Sequence, residues 1–279
     1  MDVQKKQLGE LFGYPQIPAK PRDTHQTWLK DVGFDEAPWY LENMGLIQLE
    51  DFLEVAGSNL DFVKIVTTQV SNYPTNWLKK KISLYQRFDI EPYLDHTYFM
   101  LAFKHGVVEE AIVAGAELGF KVIEYMSTYG DVSEKQWKSW RQLTLDHGMK
   151  IIYEHHPERN WRKNAKESPS SAEDIIKGAI PFLEHGGFKV MLDHEEFEIQ
   201  GDEAQKHFNH VIDEIGFEKI VFEATSPKEG PMQWLDDVTT YFDIFGADCN
   251  VSNIMPSQTM YIEALRRGER PGPLIKNKY

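Results

Sequence analysis

The chain has 279 residues, 41% of them apolar, and 44 acidic against 30 basic side chains give a formal net charge of -14. This length and apolar content suit one α/β barrel or one large doubly wound domain with a sizeable core. The acidic balance argues against nucleic acid or an anionic membrane as partner, since both select basic surfaces, but leaves room for a small anionic or polar substrate in a local basic pocket.

In chain order, the opening MDVQKKQLGELFGYP lacks the apolar core of a signal peptide, and no later apolar run nears transmembrane length, so a soluble cytoplasmic protein is expected. Residues 1–22 carry Pro15, Pro18 and Pro21 and read as an N-terminal arm lying over the domain or a neighbouring subunit. Residues 23–279 read as a single barrel domain with a C-terminal tail. Residues 24–30 form a first strand leading to Asp31, which is either a site acid or a turn acid. A helix is predicted over 46–56, with Gly57 as its stop. The second strand, NLDFVKIV, contains Lys64. If strand parity places Phe62, Lys64 and Val66 inward, the ammonium enters the barrel.

Thr67, Thr68 and Gln69 then read as a polar rim, and 77–88 as a helix whose Lys79, Lys80 and Lys81 form a solvated face. The third strand, IEPYL, ends at Asp95 and His96, both candidates for binding or proton transfer. Its Pro92 removes a ladder donor, so an irregular strand or a bulge is expected there. One or two helices follow over 98–116. Ser133 with Gln136 marks a later helix start.

Four subsequent segments repeat one design, an apolar strand preceded by glycine and ending on an acid. They are LGFKVIE to Glu124, GMKIIYE to Glu154, GFKVMLD to Asp193 and GFEKIVFE to Glu223, with Gly119, Gly148, Gly187 and Gly216 before them. Strands alternating with helical segments predict parallel βαβ units and a TIM (β/α)8 barrel. The acids fall where the strands emerge, which in such a barrel is the catalytic rim. Buried carboxylates without partners are costly, so four of them indicate one shared polar site.

His155 and His156 follow Glu154, and adjacency lets only one of them face a pocket; His156 is the candidate. Residues 159–171 form a basic loop carrying Arg159, which reads as a flap over an anion or as an ordinary exposed loop. A last strand near DCNVSNI offers Asn250 and Asn253 as hydrogen-bond donors. The only cysteine, Cys249, lies there, which excludes an intrachain disulfide and fits a reducing compartment. A final helix over 258–267 ends in Arg266 and Arg267, which read as charges that stabilise a helix C-terminus or pack the acidic surface. Helix faces leave a homo-oligomer open.

Several carboxylates in one concavity repel each other unless a cation relieves them, and Mg²⁺, or alternatively Mn²⁺ or Zn²⁺, is the economical cation. Two or three of Glu124, Glu154, Asp193 and Glu223 are expected to bind it. Lys64 would neutralise charge or move a proton. This assembly suits lyase or isomerase chemistry beside a carboxylate, through an enolate-type intermediate, and it also suits hydrolysis.

The segments LDFVKIV (60–66), KKKISLYQRFDIEPYL (79–94), LGFKVIE (118–124), IIYE (151–154), IVFEA (220–224) and IEALRRGERPG (262–272) resemble the phosphosulfolactate synthase family, including its plant heat-stress-associated relatives. The resemblance spans about residues 20–276 and implies a (β/α)8 barrel. It also implies a Mg²⁺-dependent addition of sulfite to phosphoenolpyruvate. By position, Lys64, Glu124, Glu154 and Glu223 resemble the family's strand-end residues, Asn250 and Asn253 its late asparagines, and Arg266 and Arg267 its late arginine pair, for which the resemblance implies phosphate binding. Departures occur at IVTTQV after Lys64, at DHT (95–97), at HHPER after Glu154 and at DHEE (193–196). They remove glycines and basic residues expected to hold anions. The expectation is therefore a divergent, metal-assisted lyase. The alternatives are a metal-dependent isomerase or epimerase of a small polar acid or sugar, using His96 and His156, and a noncatalytic stress-associated barrel.

Overall fold

The computed structural model describes residues 13, 16–34, 42–126, 132–155, 170–193, 202–225 and 233–268. Parallel strands β1 (Thr27–Asp31), β2 (Phe62–Ile65), β3 (Glu91–Leu94), β4 (Val122–Met126), β5 (Lys150–His155), β6 (Gly187–Asp193), β7 (Ile220–Glu223) and β8 (Asn250–Ile254) pair in sequence order, and β8 closes on β1. Helices α1 (Leu46–Ala56), α2 (Thr67–Asn72), α3 (Thr75–Gln86), α4 (His96–His105), α5 (Val108–Leu118), α6 (Glu134–Asp146), α7 (Ala172–Leu183), α8 (Asp202–Ile215), α9 (Gln233–Phe245) and α10 (Pro256–Arg266) connect them. This is a TIM (β/α)8 barrel, as the alternation of strand and helix patterns predicts.

Each strand divides its side chains between two faces. Outward residues such as Leu29, Val63, Ile123, Tyr153, Leu192 and Phe222 join the large core between barrel and helices. Inward residues Trp28, Phe62, Tyr93, Val122, Ile152, Met191 and Val221 form a separate apolar plug. Trp28 packs on Phe62 with ring centroids 4.3 Å apart and meets Tyr93 edge-on at 5.5 Å. The plug fills the barrel, so polar chemistry is confined to its ends.

Glycines at left-handed φ precede several strands: Gly119 at 108° before β4, Gly148 at 71° before β5 and Gly216 at 98° before β7. Before β6 this role falls to Gly186, at 93°, and Gly187 is already the first residue of the strand. Gly119 also closes α5 as its C-cap.

Pro92 does not produce the expected bulge. It lies opposite Val63 in an unbroken β2–β3 register. The Glu91 N–H donates to the Asp61 carbonyl at 2.9 Å, so residue 91 addresses β2 and residue 92 addresses β4. Pairing with β4 starts only at Tyr93. The missing N–H of Pro92 therefore falls before the ladder begins. Register shifts lie instead between β5 and β6, at Ile151 and Ile152, and at β8, between the pairs Thr27–Val251 and Leu29–Ile254, where Asn253 takes a φ of 61°.

The N-terminal end of the barrel is closed by polar contacts. Arg22 forms a bidentate pair with Asp61, at 2.7 and 3.0 Å, and Asp61 accepts the Thr27 N–H. Lys20 donates to the carbonyls of Gly57 and Phe88. Cys249 is fully buried beside this floor, and burial pushes its thiol up to about 12.

One sequence expectation fails on the outer face of β1. Thr67, Thr68 and Gln69, read as a polar rim, open helix α2, in which Thr67 and Gln69 are buried. Lys81 is not solvated: it is fully buried and pairs with Asp31 at 2.6 Å. Asp31 has the parity of Leu29, so it faces the helices and lies outside the barrel lumen. It also accepts from Tyr85 Oη at 2.7 Å and from the Gly33 N–H at 2.8 Å. Gln69 links the group by donating to the Asp31 carbonyl and accepting from Lys81. The cluster pins the β1 exit to α2 and α3. Removing one partner of a buried pair strands the other charge, so Lys81→Met is expected to lower the unfolding free energy by about 3–5 kcal/mol in urea denaturation at neutral pH.

Candidate active site

Moving two residues along each inward-facing strand changes the barrel lining from apolar to charged. Phe62, Val122, Ile152, Met191 and Val221 are followed on the same face by Lys64, Glu124, Glu154, Asp193 and Glu223. The strands are parallel, so these residues all stand at the C-terminal end of the barrel. Glu124, Glu154 and Glu223 are buried and Asp193 is partly exposed. Asp193 and Glu223 are directly opposed in the β6–β7 register.

Lys64 lies at the centre. Its Nζ donates to Glu223 Oε1 at 2.9 Å and stands 3.5 Å from Glu124 Oε2. It also sits 5.8 Å above the Tyr93 ring. Burial alone would lower the pKa of this ammonium, but Glu124 and Glu223 outweigh burial and hold it well above the ordinary value.

Asp95 caps α4 by accepting the Tyr98 N–H at 3.0 Å, and it also holds the Thr67 N–H and hydroxyl. Its carboxylate organises the rim between β2 and β3. His96 is the first residue of α4, and its backbone N–H donates to Glu124 Oε2 at 3.0 Å. The positive end of α4 thus faces Glu124. The His96 imidazole turns to β5, with Nδ1 at 2.5 Å from Glu154 Oε2 and 3.6 Å from Glu124 Oε2.

These neighbours separate the acids electrostatically. Burial would raise the pKa of Glu124, but Lys64 and then His96 keep it below the usual carboxylate value. Burial dominates at Glu154 and pushes it up to about 7, against the pull of His96. Burial disfavours charge on His96, yet Glu154 raises its pKa well above the ordinary imidazole value. The His96–Glu154 pair therefore holds a proton into the neutral range.

Two overlapping triads have the spacing of metal ligands, His96–Glu124–Glu154 and Glu154–Asp193–Glu223, each with donor atoms within 4.8 Å of one another. Glu124 Oε1 is buried without a hydrogen-bond partner, and the hydroxyls of Tyr93 and Ser252 line the same space. Ser252 lies opposite Glu223 in the β7–β8 register. An orphaned acceptor in a buried carboxylate cluster fits a hard or borderline cation.

Other sequence candidates lie elsewhere. Asn250 starts β8 at the opposite end, where its amide donates to the Asp23, Glu218 and Ile220 carbonyls. Arg266 is also on that floor, donating to the carbonyls of Ala247, Cys249 and Gln26. Arg267 pairs with Glu263 one helical turn away, at 3.0 Å. The reason is directional: α10 runs antiparallel to the strands, so its last turn points away from the acid ring. These three residues are structural ties at the barrel floor. Asn253 is nearer the rim, with its amide on the Ala224 carbonyl at 3.3 Å and its Oδ1 buried without a partner. His156 and Arg159 lie outside the described residues.

The parity argument that locates the acids also reaches residues the sequence reading passed over. Tyr93 and Ser252 belong to the lining. Lys30, two residues beyond Trp28, is in register with Lys64 on the adjacent strand.

A family model described as (2R)-phospho-3-sulfolactate synthase (ComA) matches residues 15–271. The phosphosulfolactate synthase of Methanothermobacter thermautotrophicus is 24% identical over 273 residues, covering 95% of this chain and 97% of that protein. That of Methanocaldococcus jannaschii is 24% identical over 229 residues, covering 80% and 86%. Among solved structures, KGPDC from Streptococcus mutans aligns with a TM-score of 0.52 at 13% identity, covering 88% of this chain and 95% of that chain, which attests the barrel fold alone.

Replacing Lys64 with Met removes the ammonium between Glu124 and Glu223 and leaves Glu124 with His96 alone. Burial then raises the folded-state pKa of Glu124, so the defect is greatest where that carboxylate must ionise. Lys64→Met is expected to lose about 3–5 kcal/mol of stability at pH 8 and distinctly less at pH 5, read from urea melts at both values.

Proposed function

Since the chain belongs to the phosphosulfolactate synthase (ComA) family, we propose that it is a divalent-metal-assisted lyase acting on a small carboxylate, with phosphoenolpyruvate and sulfite as the substrates to test first. The observation that carries this reading is the convergence of Lys64 with Glu124, Glu154, Asp193, Glu223 and His96 at one barrel end.

The name of the family's product fixes the bond changes. Sulfonate stands on C3 and hydrogen on C2 of a 2-phosphorylated three-carbon acid. The sulfite lone pair forms the C–S bond at C3, the electron pair of the double bond moves through C2 onto the carboxylate, and one proton then reaches C2. No group leaves. When bound, a divalent cation supplies Lewis-acid stabilisation of the charge that builds on that carboxylate. Two or three of Glu124, Glu154, Asp193 and Glu223 would hold it, with His96 within ligand distance of Glu124 and Glu154. Mg²⁺ is the ion the family resemblance implies, and Mn²⁺ and Zn²⁺ are the alternatives.

Lys64 is the group we assign to C2. Its ammonium is buried in the ring and oriented by Glu223 and Glu124, and a carbanionic C2 is basic enough to take its proton. Lys30, in register beside Lys64, adds positive charge on the side of β1 and β2, where a dianionic substrate needs it. With Arg266 and Arg267 tied at the far end, these lysines are the rim cations that support anion binding among the described residues.

A second reading, metal-dependent isomerisation or epimerisation, draws on the His96–Glu154 pair, whose shared proton suits transfer to and from a carbon beside a carbonyl. A noncatalytic barrel calls for acids in separate environments, and the clustered geometry counts against it.

The test is direct. Purified protein with phosphoenolpyruvate, sulfite and a divalent ion is expected to yield phosphosulfolactate by phosphorus NMR, to lose activity on chelation and to regain it on adding the ion. Glu154→Gln is expected to lower kcat by about a hundredfold or more with an unchanged circular dichroism spectrum. Absence of product with Mg²⁺, Mn²⁺ and Zn²⁺ alike would remove the sulfite reaction. Deuterium exchange into candidate sugars and acids would then decide for the isomerase reading.

A further inference from the structure

The two candidate triads share Glu154 but differ in their other members, and the local contacts distinguish them. Glu223 is already committed to Lys64 at 2.9 Å, so a cation drawn to Glu154, Asp193 and Glu223 would meet an ammonium on one of its own ligands. On the other side, Lys64 is 3.5 Å from Glu124 Oε2 and leaves Oε1 without a partner. Glu154 Oε2, on the same side, contacts His96 Nδ1 at 2.5 Å, a contact that a cation would replace. The unsatisfied acceptor and this imidazole–carboxylate contact therefore both belong to the His96–Glu124–Glu154 triad. Glu124 and Glu154 are at most 1% exposed, where leaving an acceptor unmet costs most.

We propose that the metal lies in the β3–β4–β5 sector on His96, Glu124 and Glu154, and that the imidazole makes this a site for Mn²⁺, Co²⁺ or a similar borderline ion in preference to Mg²⁺. This rests on the metal-assisted reading above and narrows it. Mg²⁺ is a hard ion that keeps oxygen ligands and several waters. An imidazole nitrogen beside two carboxylates, with remaining positions open, favours first-row transition ions, whose affinities rise with increasing softness. Three protein ligands leave room for the carboxylate of a substrate. Asp193, Glu223 and Lys64 then form the opposite wall, where the ammonium is closer to Glu223, at 2.9 Å, than to Glu124, at 3.5 Å, and faces the same space. The division also accounts for the uneven burial of the acids, because the partly exposed Asp193 lies on the wall left to substrate and water.

His96 holds its position without the metal, since it begins α4 under the Asp95 cap, so substituting its side chain leaves the backbone contact to Glu124 in place. The test uses the full-length protein freed of metal by chelation. Calorimetric titration of the wild type is expected to give Mn²⁺ and Co²⁺ affinities about tenfold or more above that for Mg²⁺. Spin-echo spectra of the Mn²⁺-loaded protein are expected to show modulation from a directly bound ¹⁴N nucleus. His96→Gln is expected to weaken Mn²⁺ and Co²⁺ about 10–100-fold, to change Mg²⁺ affinity much less and to abolish the nitrogen modulation. Asp193→Asn is expected to preserve both affinity and modulation. His96→Asn serves as the second variant if the glutamine protein fails to fold.

Mg²⁺ affinity equal to that of Mn²⁺, or nitrogen modulation that persists without His96, overturns the proposal while leaving a metal enzyme standing. A wild-type protein that binds none of the three ions overturns this inference and the metal-assisted reading together.

Discussion

One ammonium buried among carboxylates governs this barrel. Lys64 enters from β2 and reaches Glu223 on β7 and Glu124 on β4, so three strands that are not neighbours around the sheet meet at one charge. Removing any of these groups from water costs several kcal/mol, and only their mutual proximity offsets it. The pair contacts also hold the lumen polar at this level. One layer below, Trp28, Phe62 and Tyr93 shut it with apolar and aromatic surface. The closed middle separates the charged ring from the polar floor at the other end of the barrel.

The remaining charges are sorted by the direction of the chain. Strands deliver Lys64, Glu124, Glu154, Asp193 and Glu223 to one end, whereas the helices return with their C-termini at the other. Arg266 is carried to the floor with Asn250, Arg22 and Asp61, and their hydrogen bonds close that end of the barrel. The Asp31–Lys81 pair is a third, independent buried charge, set outside the sheet beneath α2 and α3. Similar residue types thus serve different purposes according to which face and which end of a strand or helix they occupy.

Within the acid ring, proton affinity is distributed unevenly by the same logic. Glu124 faces Lys64 and the start of α4 and stays below the usual carboxylate value, while Glu154, with burial dominating, rises to about 7. Two glutamates at the ends of successive strands therefore differ in charge near neutrality. Such a separation is what acid–base and metal chemistry require of otherwise identical groups.

The sequence by itself determined the barrel and the acid ring. Both are periodic properties: strand–helix alternation specifies the fold, and a two-residue repeat puts an acid on the same face as the apolar residue before it. Val122 to Glu124 and Val221 to Glu223 are examples, and Phe62 to Lys64 obeys the same rule. Tyr93 and Lys30 were legible by that rule too. Tertiary structure alone decided the partner of each charge. Lys81 reads as part of a solvated lysine run until α3 is seen to turn it toward Asp31, and Arg266 reads as a phosphate ligand until α10 is seen to end at the floor. His96 reads as a candidate for binding or proton transfer, and only the placement of α4 shows that its imidazole faces Glu154. Periodicity is a local property of the backbone, whereas an ion pair depends on the distance between residues far apart in the chain, and only the closed barrel sets that distance.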